Sequence, residues 1–246
     1  MIYINGCSFA RLSDGKNYGE HLQDMGRTVY NASVTGSSNS RIIRTTLRDF
    51  SILRKQQDDI TALITMTFPM RTELWLPEHT QNQFRTRDVE HSDGDFISVQ
   101  FNHDPDWFEK MSDKKLNIKE EYKEYALAYL TWYNEEASMV TFYQNLVMLT
   151  SWLKHSNIKY VINTGPTYTK INLASAFIKT FADQIIEDPA VLNFYNNSFC
   201  RWIDQNGTGF MDDHTHEVNG IVEPCGHANH DSHHAWAKHL VNKYEI

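Results

Sequence analysis

Met1-Ile2-Tyr3-Ile4-Asn5-Gly6-Cys7-Ser8-Phe9-Ala10 is the stretch from which the fold can be read. Its first four residues form a short apolar run, the pattern of a buried strand, and Asn5-Gly6 ends it. Ser8 follows at the point where the chain must leave the strand. Far along the sequence, Gly226-His227-Ala228-Asn229 and then His233 precede an amphipathic stretch from Ala235-Trp236-Ala237 to Leu240-Val241. A serine after the first strand and a histidine before the last helix suit hydrolysis. If the fold brings them together, Ser8 can be the nucleophile and His227 its base.

Working outward, further strands are expected at Thr28 to Ala32, Ala62 to Thr67 and Ile158 to Ile162, the last two stopped by Phe68-Pro69 and Gly165-Pro166. Between them lie helical patterns. Tyr18 to Met25 ends at Gly26. After the loop and cap Gly36-Ser37-Ser38-Asn39-Ser40, a helix carries Ile42, Ile43, Leu47, Phe50 and Leu53 on one face. Helical pattern resumes at Glu120, with Met139, Phe142, Tyr143, Leu146, Leu149, Thr150 and Leu153 sharing a face. Ile171 to Ile186, Val191 to Ile203 and Ser232 to Lys243 complete the set. Alternation of strands and helices predicts an α/β fold with parallel strands, and its ligands sit at the strands' carboxyl ends. Ser8, Gly36 and Thr67 each follow a predicted strand, so they should share one edge. Residues 72 to about 120 break the rhythm. They read as an insertion, either a hairpin or lid or an irregular surface loop. Their aromatics (Trp75, Phe84, Phe96, Phe101, Trp107, Phe108) suit a carbohydrate platform, a satellite core or an oligomer contact equally.

The 246 residues suit one domain, 1–246. A net charge of −8 argues against non-specific nucleic-acid binding, which needs a basic face. Small-molecule, carbohydrate and protein partners stay open. Cys7, Cys200 and Cys225 are too few for a disulfide framework and contain no Cys-x-x-Cys pair, which points to a reducing compartment. The first residues lack the pattern of a signal peptide, and no apolar run reaches membrane-spanning length. Synthesis in the cytoplasm and no membrane partner are therefore expected. Seven of the twelve histidines lie between His214 and His239, which invites a zinc reading. The spacing matches no zinc signature and His-Glu-x-x-His is absent, so no metal and no cofactor are expected.

Taken together, these blocks resemble the SGNH (GDSL-type) hydrolase family. Gly6-Cys7-Ser8 is similar to its first block, Gly-Asp-Ser. Asn31 to Asn39 is similar to the second, whose glycine N–H helps form the oxyanion hole. Thr65-Met66-Thr67-Phe68 stands at the third, and Gly226-His227-Ala228-Asn229 resembles the fifth. The resemblance implies a three-layer α/β/α sandwich with a five-stranded, flavodoxin-like parallel sheet, and a serine esterase acting on an acyl ester of a carbohydrate or similar polar alcohol. It nominates Ser8 and His227 for catalysis, and Ser8 and Gly36 N–H groups for the oxyanion. Two departures stand out. The family's aspartate three residues before its histidine is Pro224 here. Glu223, a backbone carbonyl, or the more distant Asp212 and Asp213 are the alternatives for orienting His227. The third-block asparagine is Thr67, a shorter donor, with Arg71 nearby as added positive charge. Asn39 reads as a helix-start residue making local bonds or as a site-shaping side chain. Cys7 reads as a small packing residue. The Gly-Cys-Ser-Phe opening is similar to uncharacterised bacterial and bacteriophage members. The alternative is therefore a binding or structural module with an eroded catalytic set, in a virion or assembly role. The oligomeric state is left open.

Overall fold

The structure, a computed structural model, describes residues 1–69, 71–75, 92–93, 96–99, 124, 128–129, 131–166, 176–192, 198–206, 208–211, 215–218, 221–224 and 227–246. β1 (Ile2–Gly6) is buried along its whole length. It runs parallel to β2 (Val29–Asn31) on one side and to β3 (Thr61–Met66) on the other, and β3 pairs in parallel with β7 (Lys159–Thr164). The sheet order is β2-β1-β3-β7. β1, β3 and β7, buried at nearly every position, read as runs and not as alternations, whereas the edge strand β2 is only partly buried.

The two faces build two cores. Tyr3, Ile64, Met66 and Ile162 point toward α3 (Asn39–Leu53), α4 (Glu135–His155) and α5 (Ala176–Ile186). Ile2, Ile4, Leu63 and Val161 join Phe9, Tyr18, Leu22, Phe199, Trp236 and Leu240 on the opposite side. That side is covered by α1 (Ser8–Arg11), α2 (Tyr18–Asp24), α6 (Phe199–Asn206) and α7 (His230–Tyr244). The layers are thus helix, sheet, helix.

Three expectations need correction. Among the described residues the parallel sheet has four strands, not five. At the fifth place Val191 makes a single parallel bridge to Ile162. The Ile162 N–H donates to Ala190 O and the Leu192 N–H to Ile162 O, both at 2.8 Å. Pro189, just before, has no N–H with which to extend the ladder. Val191 therefore belongs to the sheet rather than starting a helix, and the helix begins at Phe199. Second, Leu47 is not on the buried face of α3 but 36% exposed. That face is Ile42, Thr45, Thr46, Asp49 and Phe50, with helical spacing but polar residues in its middle. Asn5 explains the polarity. Its amide nitrogen lies 2.8–3.0 Å from Thr45 Oγ1, Thr46 Oγ1, Ile42 O and Tyr3 Oη, and Tyr3 Oη donates to Asp49 at 3.0 Å. A buried strand-end asparagine needs such partners. Third, the helical pattern from Glu120 is not continuous. Residues 131–132 are helical, Tyr133–Asn134 are not, and α4 restarts with the Asn134 side chain accepting from the Ala137 N–H at 2.9 Å.

Within the interruption between β3 and α4, β4 (Thr72–Trp75), β5 (Ser92–Asp93) and β6 (Phe96–Val99) form an antiparallel sheet in the order β4-β6-β5. β8 (Thr215–Val218) and β9 (Ile221–Pro224) form a hairpin before α7. Among the described residues no helix is long and apolar enough to cross a membrane.

Candidate active site

β1 ends at Gly6, and Cys7, fully buried, is the N-cap of α1, so Ser8 is the first helical residue at the carboxyl edge of the sheet. Cys7 packs in the core with Ile4 and Ala10. Phe9 then fixes the geometry. A Cβ on Gly165, just past β7, would lie 2.4–2.5 Å from Phe9, so only glycine lets that ring sit there. The Phe9 ring also stacks on His227, with centroids 4.9 Å apart and planes at 24°. The residue next to Ser8 therefore touches the His227 ring across more than two hundred positions of sequence.

The chain reaches this point through the start of α7. The Met211 N–H donates to His227 O at 2.9 Å, and Phe210 bridges Ala228. Asn229 caps α7 by accepting from the Ser232 N–H at 2.9 Å, and Ser232 Oγ donates to Gly209 O. The first turn of α7 is then bonded to the loop after α1. The His230 ring accepts from the Lys16 N–H at 3.0 Å, and the His230 N–H donates to Asp14. His233, fully buried, accepts at Nδ1 from the Tyr18 N–H at 3.1 Å and donates from Nε2 to Leu12 O at 2.8 Å. These two bonds dictate a neutral ring with its proton on Nε2. Burial lowers its pKa to about 4. His233 is thus a fixed pin that ties α7 to Leu12 and to the start of α2. Sequence reasoning noticed it only as part of a helix start.

Gly36 lies at φ +77° in a turn closed by the Ser37 N–H on Val34 O at 3.2 Å, and a Cβ there would meet nothing within 4 Å. The Val34 N–H donates to Gly6 O at 3.1 Å, tying this loop to the end of β1 two residues before Ser8. The N–H groups of Ser8 and Gly36 donate to no backbone carbonyl among the described residues. Thr67 is fully buried beyond the end of β3, and its hydroxyl accepts from Arg71 Nη1 at 2.9 Å. The Arg71 guanidinium lies over the Phe68 ring at 5.2 Å.

Asn39 does not make the local bonds expected of a helix start. Ser38 does that, accepting from the Arg41 N–H at 3.1 Å. The Asn39 amide instead clasps Thr67, accepting from its N–H at 2.8 Å and donating to its carbonyl at 3.0 Å. It works like one rung of sheet ladder between the Gly36 loop and the end of β3. The signal for this was an amide three residues after Gly36, which sequence alone cannot aim.

Ser8, His227, Gly36, Thr67, Asn39 and Arg71 thus belong to segments that meet along one sheet edge. Among the described residues no hydrogen bond joins Ser8 Oγ to His227. Glu223 is in β9, opposite His216, but its side chain lies outside the described residues, as do Asp212 and Asp213. Among the described residues no group of three or more His, Cys, Asp or Glu is arranged to hold a metal ion. His21, His230 and His234 do cluster, yet the rings of His21 and His234 stack at 12° and present faces to each other.

No protein-family model matches the chain, and no curated protein does. Among solved structures, the 2.86 Å crystal structure of a candidate GDSL-like lipase from Parabacteroides merdae is similar. The similarity covers 98% of this chain and 93% of that one, at 12% identity and a TM-score of 0.39. So distant a likeness carries no argument about activity.

Proposed function

We propose that this protein is a serine ester hydrolase of the SGNH type, acting on an acyl ester of a carbohydrate or similar polar alcohol. In this reading Ser8 Oγ attacks the ester carbonyl as His227 takes its proton. The oxyanion is held by the Ser8 and Gly36 N–H groups, with the Thr67 hydroxyl as a third donor. Collapse expels the alcohol, which takes the proton from His227. A water then gives its proton to His227 and attacks the acyl group, releasing the acid and restoring Ser8. Glu223 orients the imidazole. No cofactor takes part.

The observation that carries this reading is the contact of Phe9 with His227, braced from below by Gly165 and from the side by the histidine pins of α7. The open left-handed Gly36 supports the oxyanion role. The test is intact-mass labelling with a fluorophosphonate probe. The expected result is a single adduct on Ser8 that is absent in Ser8→Ala and fades in His227→Ala. Folded wild-type protein that takes no adduct would sink the proposal.

One observation favours a second reading, a binding or structural module of virion or assembly type. Ser8 Oγ and His227 share no hydrogen bond among the described residues, and catalytic bonds in ligand-free structures are often long. The same labelling experiment separates the two.

A further inference from the structure

A cavity of about 540 Å³ opens between the start of α3, the start of β4 and the interrupted helix before α4. It adjoins the candidate active site, because Asn39 and Arg71, which both bond Thr67, line it. The volume is that of a small-ligand cleft. Its lining has an unusual division of labour. One wall is aromatic. Trp132 is 85% exposed, and Tyr129 and Tyr133 flank it with ring centroids 5.8 Å apart. The helix interruption at Tyr133–Asn134 shapes this wall, because the helical turn through Trp132 stops there and α4 starts afresh.

The rest of the lining mixes apolar residues, Pro69, Ala137 and Phe142, with polar ones. Asn145 is half-buried in the cleft, and Ser40, Thr72, Ser138 and Thr141 add hydroxyls. Arg71 is the one charged group among the described lining residues, and its Nη1 is engaged by Thr67. The nearby carboxylate of Glu73 is held by a two-pronged pair with Arg44, at 2.6 and 3.0 Å.

Each ligand class demands something different of such a cleft. An acyl chain wants an enclosed apolar tube, and a tryptophan open to water on this scale does not make one. A polyanion wants several cations. A sugar ring has an apolar C–H face for an aromatic plane, and a belt of hydroxyls for groups that both donate and accept, as amides and hydroxyls do. We propose that this cleft is a glycan subsite, with Trp132 as its stacking platform. It takes the alcohol portion of the substrate as a short, uncharged oligosaccharide. This deepens the esterase reading and rests on it only for the fate of the bound sugar, since binding itself needs no serine.

The test uses the full-length Ser8→Ala protein, so that no ester is turned over. Cellotetraose, xylotetraose, mannotetraose and chitotetraose are titrated by calorimetry, with tetragalacturonate as the charged comparison. The expected result is one-to-one binding of at least one uncharged sugar, weakened about tenfold or more by Trp132→Ala and largely kept by Trp132→Phe. Met148→Ala, an exposed change on α4 away from the cleft, leaves that affinity unchanged. Circular dichroism checks that each variant is folded. The inference is overturned if none of the four uncharged sugars binds, if only tetragalacturonate does, or if binding is indifferent to Trp132→Ala. Failure here with fluorophosphonate labelling of Ser8 intact leaves the esterase standing. Sugar binding without labelling leaves the subsite standing and removes the esterase.

Discussion

Two of the contacts that the chain around the start of α7 makes with the N-terminal part use histidine in opposite ways. At the inner one, His233 is fully buried and both its ring nitrogens are bonded to backbone, at Tyr18 and Leu12. At the outer one, six residues earlier, half-buried His227 lays its ring face against Phe9. A ring with both edges engaged by backbone and its pKa held near 4 cannot exchange protons at neutral pH. It can only position. The His227 ring meets Phe9 through its face, a contact that involves neither ring nitrogen. The comparison teaches that burial and bonding, not residue type, set what a histidine can do.

The largest expected effects break or sharpen that contrast directly. Ser8→Ala and His227→Ala each lower ester hydrolysis by at least about a thousandfold. His227→Ala costs only about 1 kcal/mol of stability, the loss of one aromatic contact. His233→Ala does the reverse. It leaves the Tyr18 N–H and the Leu12 carbonyl without partners in the core, at about 1–3 kcal/mol each. Thermal unfolding and steady-state kinetics on both variants read the two columns. A His227→Ala protein that unfolds, or a His233→Ala protein that keeps its melting temperature, would invert the assignment.

Acid should act on the pinned side first. His233 has a folded pKa of about 4 against an ordinary value of 6.5, and its first cause is burial. His21 is lowered by burial and then by the nearby charges of His230 and His234, opposed by Asp24, to which Lys16 is bound. In each case the unfolded chain takes up the proton at a higher pH than the folded one. Stability is therefore full above pH 6.5 and falls as pH drops from there toward 4. The His233 share is about 3 kcal/mol over that window. Melting temperatures between pH 7.5 and 4.5 test it, and His21→Leu should flatten the curve. A pH-independent melting temperature would mean that these rings are not buried neutral.

How much of this was legible beforehand follows from the same distinction. Ser8, His227 and Gly36 could be nominated because strand ends, a glycine turn and a helix start have local signatures. Phe9, Gly165 and His233 could not, because each matters through a partner far away in sequence. Gly165 read as a strand stop and proved to be the floor under Phe9. Asn39 read as a helix-start residue making local bonds or as a site-shaping side chain, and its amide clasps Thr67. Of the sheet, the four strands were readable, while Val191 was not, since a single bridge leaves no pattern. The Asn39 clasp gives a prediction of intermediate size. Asn39→Ala removes both bonds and costs about 2 kcal/mol, with a loss of activity as the Gly36 loop parts from β3. Asn39→Asp keeps the acceptor for the Thr67 N–H and should lose about half as much. An Asn39→Asp protein as stable as wild type would show that the carbonyl bond contributes nothing, and a loss equal to that of Asn39→Ala would show the same of the N–H bond.

The smallest effect concerns the face of α3 and tests the reading of periodicity itself. Apolar spacing marked Leu47 as core, yet it is 36% exposed, while Thr45 and Thr46 beside it are fully buried. The stripe that faces the sheet is chosen by what the sheet presents there, and it presents Asn5, whose amide needs acceptors. Leu47→Ala should therefore change stability by less than about 0.5 kcal/mol. Thr46→Val, which makes the buried stripe more apolar, should cost more, about 1 kcal/mol, because Asn5 loses an acceptor in a place water does not reach. Urea unfolding of the two variants gives the order. If Leu47→Ala proved the more damaging, hydrophobic spacing alone would have set the rotation of α3, and the polar stripe would be its consequence rather than its cause.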